Sequence, residues 1–154
     1  AYNYGAGHKD RVIKTIKHSV AYGVGIMFVG LLAMHIFPAQ LMRMFDAEES
    51  LIAIGAPALE TISLSFVFAG FCIVAGSVFQ ALGNGVYSMI VSVARQMCVL
   101  LPVAKLLSLS GEVTLIWWAF PIAELASVLL TSYFLVRIYR KVICHIGEPV
   151  VQDA

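Results

Sequence analysis

Four long runs of apolar residues alternate with short polar segments along the chain. A bilayer with a hydrocarbon core of about 30 Å needs roughly 20 helical residues, because each residue advances an α-helix by about 1.5 Å. Each run is long enough to form such a helix. The pattern therefore predicts an all-α integral membrane protein with four antiparallel transmembrane helices, at residues 19–37, 56–82, 87–108 and 113–138.

The connecting segments are short and polar. Gly83–Asn84–Gly85 has two glycines free to adopt positive φ, which predicts a tight turn between the second and third helices. Pro38 ends the first apolar run. The predicted connections are residues 1–18 (a loop and an amphipathic basic stretch), 38–55 (an amphipathic loop), 83–86, 109–112 and the tail 139–154.

One carboxyl group interrupts the last apolar run. An ionised side chain that faces lipid near mid-membrane costs at least about 2.5 kcal/mol, so we expect Glu124 to face protein. Glu124, Ser127 and Thr131 stand at i, i+3 and i+7, which places them on one helical face. This face is predicted to look inward.

A second polar stripe enters the third helix. Ser88, Ser92 and Arg95 stand at i, i+4 and i+7, and Gln96 follows. Arg95 lies too deep to be an ordinary end residue, so it is also predicted to face protein, with Glu124 as its candidate partner. The alternative is that its long side chain reaches back to the cytoplasmic interface. Pro102, six residues past Gln96, predicts a kink.

Other positions in the first two helices have simpler interpretations. Ser19, Gly23 and Gly30 form a stripe of small residues that favours close helix packing. Glu60 follows a proline near the predicted start of the second helix, where it complements the helix dipole. His35 stands near the external end of the first helix, where we expect a solvated or backbone-bonded imidazole.

Composition and charge agree with a membrane protein. Apolar residues make up 60% of the chain, charged residues 12%, and the mean hydropathy is +0.90. Seven of the ten lysines and arginines flank the first and last apolar runs, which predicts cytoplasmic termini and external loops at residues 38–55 and 109–112. Cations beside a membrane span are typical topology determinants, so no nucleic-acid partner is expected. The polar start without methionine resembles no cleavable signal and indicates a polypeptide that continues upstream.

Signatures of catalysis and of metal binding are missing from the sequence. It contains no GxSxG, HExxH or Walker A motif, so no enzyme activity is predicted. Its three cysteines have no paired spacing, and we expect them to be reduced. Cys144 and His145 are too few to form a metal site, which needs about four ligands.

Four motifs in order resemble the multidrug and toxic compound extrusion (MATE) transporters of bacterial type, specifically the last four helices of their C-terminal lobe. The motifs are Asn3-Tyr4-Gly5-Ala6-Gly7 with Arg11, Phe79-Gln80-Ala81-Leu82-Gly83-Asn84-Gly85, Arg95 with Pro102, and Trp118-Ala119-Phe120-Pro121-Ile122-Ala123-Glu124. Together they cover almost the whole chain up to about Lys141. Some members of this family carry a coupling carboxylate midway along the tenth helix, whereas the corresponding residues 69–72 here have none.

The resemblance implies a twelve-helix transporter of two lobes in the cell inner membrane, of which this chain forms part of one lobe. It implies alternating access and export of cationic or amphipathic drug-like compounds in exchange for H⁺ or Na⁺, with no other cofactor. The partners would be the lipid bilayer and upstream helices of the same transporter. The candidate residues for the substrate or ion pathway are Glu124, Arg95, Gln96, Glu60 and Gln80.

Two alternatives remain open. A lipid-linked flippase of the same wider superfamily would need a strongly cationic cavity to hold pyrophosphate, and Arg95 is the one cation predicted deep in the membrane. A small structural or scaffold membrane protein would use its polar residues only to join helices.

Overall fold

The computed structural model describes residues 1–147, which are almost entirely helical. The helices are α1 (Tyr2–Gly5), α2 (Lys9–Ile36), α3 (Pro38–Arg43), α4 (Glu49–Ser63), α5 (Phe66–Ala81), α6 (Gly85–Val93), α7 (Leu101–Ser108), α8 (Val113–Ile116) and α9 (Ala119–Lys141), with a π-helical segment (Ala94–Leu100) between α6 and α7 and a 3₁₀ turn (Ile143–His145) after α9. No strand occurs in this part of the chain. The predicted all-α fold is confirmed, while residues 148–154 of the predicted tail lie outside the described residues.

Three helical stretches are long and apolar enough to cross a membrane, namely Lys9–Ile36, Gly85–Ser108 and Val113–His145. Helices α4 and α5 pass the same test as a pair, although they meet at a bend of 54°. Counting this pair as one broken span gives four candidate spans, in keeping with a multi-pass membrane protein.

The first span starts earlier than the sequence pattern suggested. Helix α2 begins at Lys9, so most of the basic stretch assigned to a surface segment within residues 1–18 belongs to the spanning helix. Apolar residues alternate there with cations at helical spacing, and Val12 is buried. The same stretch therefore packs against protein on one face, while Arg11, Lys14 and Lys17 remain exposed on the other.

The second span is broken, which corrects the prediction of one helix over residues 56–82. Helix α4 begins at Glu49, so Pro57 lies inside this helix rather than in its first turn. The chain breaks between α4 and α5, where the hydroxyl groups of Ser63 and Ser65 donate hydrogen bonds to the carbonyl oxygens of Glu60 and Ile62, at 2.9 and 2.6 Å. These side-chain bonds supply partners for polar backbone groups beside the break, and such partners let irregular backbone occur at membrane depth.

Helices α2 and α5 pack most closely where glycines face each other. A Cβ atom on Gly23 would lie 2.6 Å from a methyl group of Val74 and 3.6 Å from the backbone oxygen of Gly70. The predicted packing role of Gly23 is thereby confirmed. Helix α9 packs against α5 and the π-helical segment. A cluster of aromatic rings fills the end of this interface, with Tyr87 stacked on Phe134 at 4.5 Å between ring centroids.

The two ends of the described chain meet at one end of the bundle. The ammonium group of Lys9 donates a hydrogen bond to the carbonyl oxygen of Cys144 at 2.8 Å.

Gly83, in the turn between α5 and α6, adopts a φ of +77°, whereas Gly85 already belongs to α6. The predicted tight turn thus needs positive φ at one glycine rather than at two.

Candidate functional site

An ion pair joins the two deep charges that the sequence singled out. A guanidinium nitrogen (Nη1) of Arg95 lies 3.1 Å from the carboxylate oxygen Oε2 of Glu124. The Glu124 side chain is 5% exposed and the Arg95 side chain 43% exposed. The two groups are paired with each other, as predicted, and Glu124 faces protein. The carboxylate is therefore held inside the helix bundle, with the guanidinium half open beside it.

Arg95 lies within the π-helical segment. Pro102 has no N–H group and its ring clashes with the carbonyl group of Cys98, four residues earlier, so a regular α-helix is disfavoured at this place. The chain instead takes the wider π-helical turn over Ala94–Leu100, a feature frequent at functional sites. The predicted irregularity lies just before Pro102, and Arg95 stands within it.

Helix α9 holds Glu124 in its buried face. Ser127 is 3% exposed and Thr131 fully buried, so the three predicted polar residues of this helix all look inward. The Ser127 hydroxyl donates a hydrogen bond to the carbonyl oxygen of Ala123 at 3.1 Å. The hydroxyl of Thr131 has no hydrogen-bond partner among the described residues. Pro121 lies in the first turn of α9, and the break between α8 and α9 just before it corrects the prediction of one continuous helix over residues 113–138.

A polar cleft lies between the ion pair and the turn at Gly83, and we call it the turn-side cleft. Its volume is about 260 Å³. Besides the ion pair, its polar lining comprises Cys72, Ser77, Gln80, Ser88, Ser92, Ser127 and Thr131. The amide nitrogen of Gln80 donates a hydrogen bond to the hydroxyl oxygen of Ser88 at 3.1 Å, which links α5 to α6 across this cleft.

A second cleft, here the far-side cleft, lies beyond the ion pair on the side away from that turn. Its volume is about 240 Å³. The cleft is lined by the ion pair and by Met27, Ser65, Phe66, Ala69, Gln96, Leu100, Phe120 and Ala123. Because Ser65 lies at the break between α4 and α5, this break borders the far-side cleft. Four of the five candidate pathway residues thus line the two clefts.

Glu60 is the exception. It is exposed and lines neither cleft. It lies near the C-terminal end of α4, which corrects its assignment to a helix start that complements the dipole. The error follows from Pro57, which marks many first helical turns but here sits within the helix.

The side chain of His35 is exposed, as expected of a solvated imidazole, and it also has a side-chain partner. Its Nδ1 lies 3.0 Å from the hydroxyl oxygen of Ser63, which is fully buried. Because that hydroxyl donates its proton to the Glu60 carbonyl oxygen, the imidazole Nδ1 donates to the hydroxyl. This partner on α4 was not expected from the sequence, and the bond joins α2 to the start of the break.

Sequence reasoning missed Cys72 and Ser77 as members of the turn-side cleft. A usable signal was present, since Cys72, Gly76 and Gln80 repeat at four-residue spacing along one face of α5. No three His, Cys, Asp or Glu side chains within residues 1–147 come together to hold a metal ion.

These features define a class of protein. An α-helical membrane protein with a buried carboxylate, paired with a cation between polar clefts, and with a broken span beside it, has the general construction of a secondary transporter. The MatE family model matches residues 1–106. The chain therefore belongs to the MatE family of membrane transporters, which confirms the resemblance to MATE proteins. Neither a curated protein nor a solved structure matches the chain.

The region matched by the family model contains only part of the candidate site. Arg95, Gln96, Gln80 and Glu60 lie within the matched residues, whereas Glu124 lies beyond them in α9. The ion pair therefore joins a residue of the matched region to one outside it.

Proposed function

We propose that the chain works as part of a secondary active multidrug antiporter, which exports small cationic or amphipathic compounds in exchange for H⁺ or Na⁺. The observation that carries this proposal is the Glu124 carboxylate, buried inside the bundle and paired with a cation that is itself half exposed. Further helices of the same transporter would complete the substrate route, and the protein would reside in the cytoplasmic membrane of a bacterial cell.

Glu124 would act by changing its partner. An ionised carboxylate in a poorly solvated place needs a counter-charge, which Arg95, a cationic substrate, a sodium ion or a bound proton can each supply. The long side chain of Arg95 can move away without disturbing the backbone. Binding of one cation therefore favours release of another, which is the requirement for antiport.

The flippase alternative is less favoured by the composition of the clefts. Within the described residues, Arg95 is the sole cation that lines either cleft, and Glu124 neutralises it. A pyrophosphate group would meet no excess of positive charge there. The antiporter proposal requires no such excess.

The test replaces Glu124 by glutamine in the complete transporter. Glu124→Gln keeps the shape and most hydrogen bonding of the side chain but removes its charge. We expect export of ethidium, a cationic dye, to be abolished while the protein still reaches the membrane. The matched control is Glu60→Gln, which removes an exposed carboxylate that lines neither cleft and is expected to preserve export. Wild-type efflux by Glu124→Gln across a range of external pH would make Glu124 a structural residue.

A further inference from the structure

The last turns of α9 carry three cations on one face. Arg137, Arg140 and Lys141 stand at i, i+3 and i+4, so their side chains are neighbours on the helix surface. All three are exposed, and none forms an ion pair with a carboxylate of residues 1–147. Like charges at this spacing repel each other. The cluster therefore has no counter-charge within the described part of the chain.

A groove lies among these cations, and we call it the basic groove. Its volume is about 330 Å³. The side chains that line it all belong to α9, namely Tyr133, Val136, Arg137, Arg140 and Lys141. A guanidinium group binds phosphate oxygens through paired hydrogen bonds, an ammonium group attracts them as a point charge, and a tyrosine hydroxyl donates one further bond. The groove thus offers the donors that a phosphate group requires.

An exposed apolar stripe of the same helix leads to the basic groove. Its members are Ile122, Leu125, Leu129, Tyr133 and Val136, each at least 40% exposed. They recur at spacings of three and four residues, so the stripe is continuous. It extends about 21 Å along the helix, which exceeds the roughly 15 Å of hydrocarbon in one leaflet. The stripe is therefore long enough to contact a whole acyl chain.

The stripe and the packed face of α9 lie on opposite sides of the helix. The buried residues between the stripe's two ends are Ala123, Glu124, Ser127, Thr131 and Phe134. They also recur at helical spacing, offset from the stripe by about half a turn. Residues 1–147 thus cover one side of α9 and leave the side with the stripe and the basic groove uncovered.

We propose that the basic groove and the apolar stripe bind an anionic phospholipid, with its phosphate among the three cations and an acyl chain along the stripe. The cations lie at the end of the bundle predicted to be cytoplasmic, and the anionic lipids of the cytoplasmic leaflet attract such clusters. The basic groove shares no lining residue with the turn-side or the far-side cleft, so the proposal does not depend on the transported compound or the exchanged ion.

Two simpler roles for the cations leave the rest of the surface unexplained. Lysine and arginine near a helix C-terminus interact favourably with the helix dipole, and cations beside a span determine topology. Neither role requires a groove with a tyrosine in it or an apolar stripe that ends there. A soluble anion would use the cations but not the stripe. An anionic phospholipid uses both.

The lipid affinity of the complete transporter in detergent tests recognition of the headgroup. Native mass spectrometry measures binding of phosphatidylglycerol and of phosphatidylcholine with the same acyl chains. We expect phosphatidylglycerol to bind at least about tenfold more tightly, because each cation strengthens attraction to anionic lipid roughly fivefold. Equal affinities for the two lipids would overturn the proposal. Soluble glycerol phosphate that competes as strongly as the lipid would also overturn it, since the ligand would then be a free anion.

A double variant locates the binding site. Arg137→Gln combined with Arg140→Gln removes two of the three cations, and we expect the affinity for phosphatidylglycerol to fall at least about tenfold. The matched control is Lys14→Gln combined with Lys17→Gln, which removes two exposed cations of α2 outside the basic groove. This control should retain most of the affinity. Equal losses in the two double variants would mean a general attraction of lipid to the positive end of the bundle, and the proposed site would be wrong.

A fluorescence measurement leaves all the cations in place, so it does not depend on how the double variants insert or fold. A single cysteine with a bimane label replaces Leu129 on the stripe or Ile26 on α2, which are 74% and 71% exposed, in a transporter whose native cysteines are replaced. We expect brominated phosphatidylglycerol to quench the label at position 129 at a roughly tenfold lower mole fraction than brominated phosphatidylcholine. The two lipids should quench equally at position 26. Equal quenching at position 129, or none because further helices of the transporter cover the stripe, would refute the proposal.

Discussion

At the residue scale, Thr131 combines full burial with a hydroxyl group that lacks a partner among the described residues. Burial of a hydroxyl without a hydrogen bond costs roughly 1–3 kcal/mol in proteins. Helix α9 nevertheless places this group on the same face as Glu124, at the edge of the turn-side cleft. Such a position suits a group that meets a transported ion for part of a cycle rather than one that stabilises the fold.

The stability of a Thr131→Val variant tests this view. Valine has nearly the same shape but no hydroxyl, so we expect the thermal unfolding midpoint in detergent to rise, by about 1 kcal/mol in stability. The matched control is Ser63→Ala, which removes a fully buried hydroxyl with two partners, His35 and the Glu60 carbonyl. This control should lose roughly 1–3 kcal/mol. A loss of stability in Thr131→Val would mean that its hydroxyl is bonded in the folded protein.

The individual charges differ in how far sequence could place them. The pairing of Arg95 and Glu124 was predictable because an ionised side chain deep in an apolar run is costly in contact with lipid. A partner of opposite charge is the simplest way to lower that cost. Glu60 was misplaced because its role depends on where its helix begins. That boundary is determined by packing and by the hydroxyl bonds at the break after Ser63, none of which leaves a periodic signal.

At the scale of elements, the contact between α2 and α5 depends on two glycines. A Cβ atom on Gly70 would lie 3.0 Å from Cγ of Met27 and 3.1 Å from the backbone oxygen of Gly23. A backbone atom cannot give way as a flexible side chain can, so the two helices would have to separate. Close approach of this kind is the usual basis of helix association in membranes, where lipid is as apolar as the helices themselves.

We therefore expect Gly70→Ala to destabilise the protein by about 1–3 kcal/mol, the usual cost of an overpacked interior. The control is Gly25→Ala in α2, where an added Cβ meets nothing within 4 Å. Both substitutions gain about 1 kcal/mol of helix propensity, so Gly25→Ala should leave stability unchanged or raise it. Thermal unfolding in detergent provides the measurement. Equal midpoints for the two variants would show that Gly70 is not a contact point.

Two irregular elements limited what the pattern alone could predict. The sequence indicated an irregularity at Pro102 but not that it takes the form of the π-helical segment Ala94–Leu100. It gave no sign of the 54° bend between α4 and α5, because apolar residues continue on both sides of that bend. Hydropathy reports how long an apolar run is, whereas a bend depends on where freed backbone groups find partners.

At the scale of the whole molecule, three chain segments lie together at one end of the bundle. The ammonium group of Lys9 reaches the carbonyl oxygen of Cys144, which joins the start of α2 to the turn after α9. Leu82, beside the turn between α5 and α6, lines a common cavity with Tyr2 of α1. The loop before α4, with Asp46, lies at the other end of α2. This arrangement requires an even number of crossings between the two ends of the described chain.

The remaining question is which end faces the cytoplasm, and the charge distribution gives a definite prediction. Seven of the ten lysines and arginines flank the first and last spans, whereas the loop before α4 carries Asp46 and Glu48. Lysine and arginine are enriched in cytoplasmic loops, while acidic residues contribute little. We therefore expect an impermeant thiol reagent to label Glu48→Cys in intact cells, in a cysteine-free background, and to label Asn84→Cys only after the membrane is opened. Labelling of Asn84→Cys in intact cells, with Glu48→Cys protected, would invert the topology and place both ends of the chain outside.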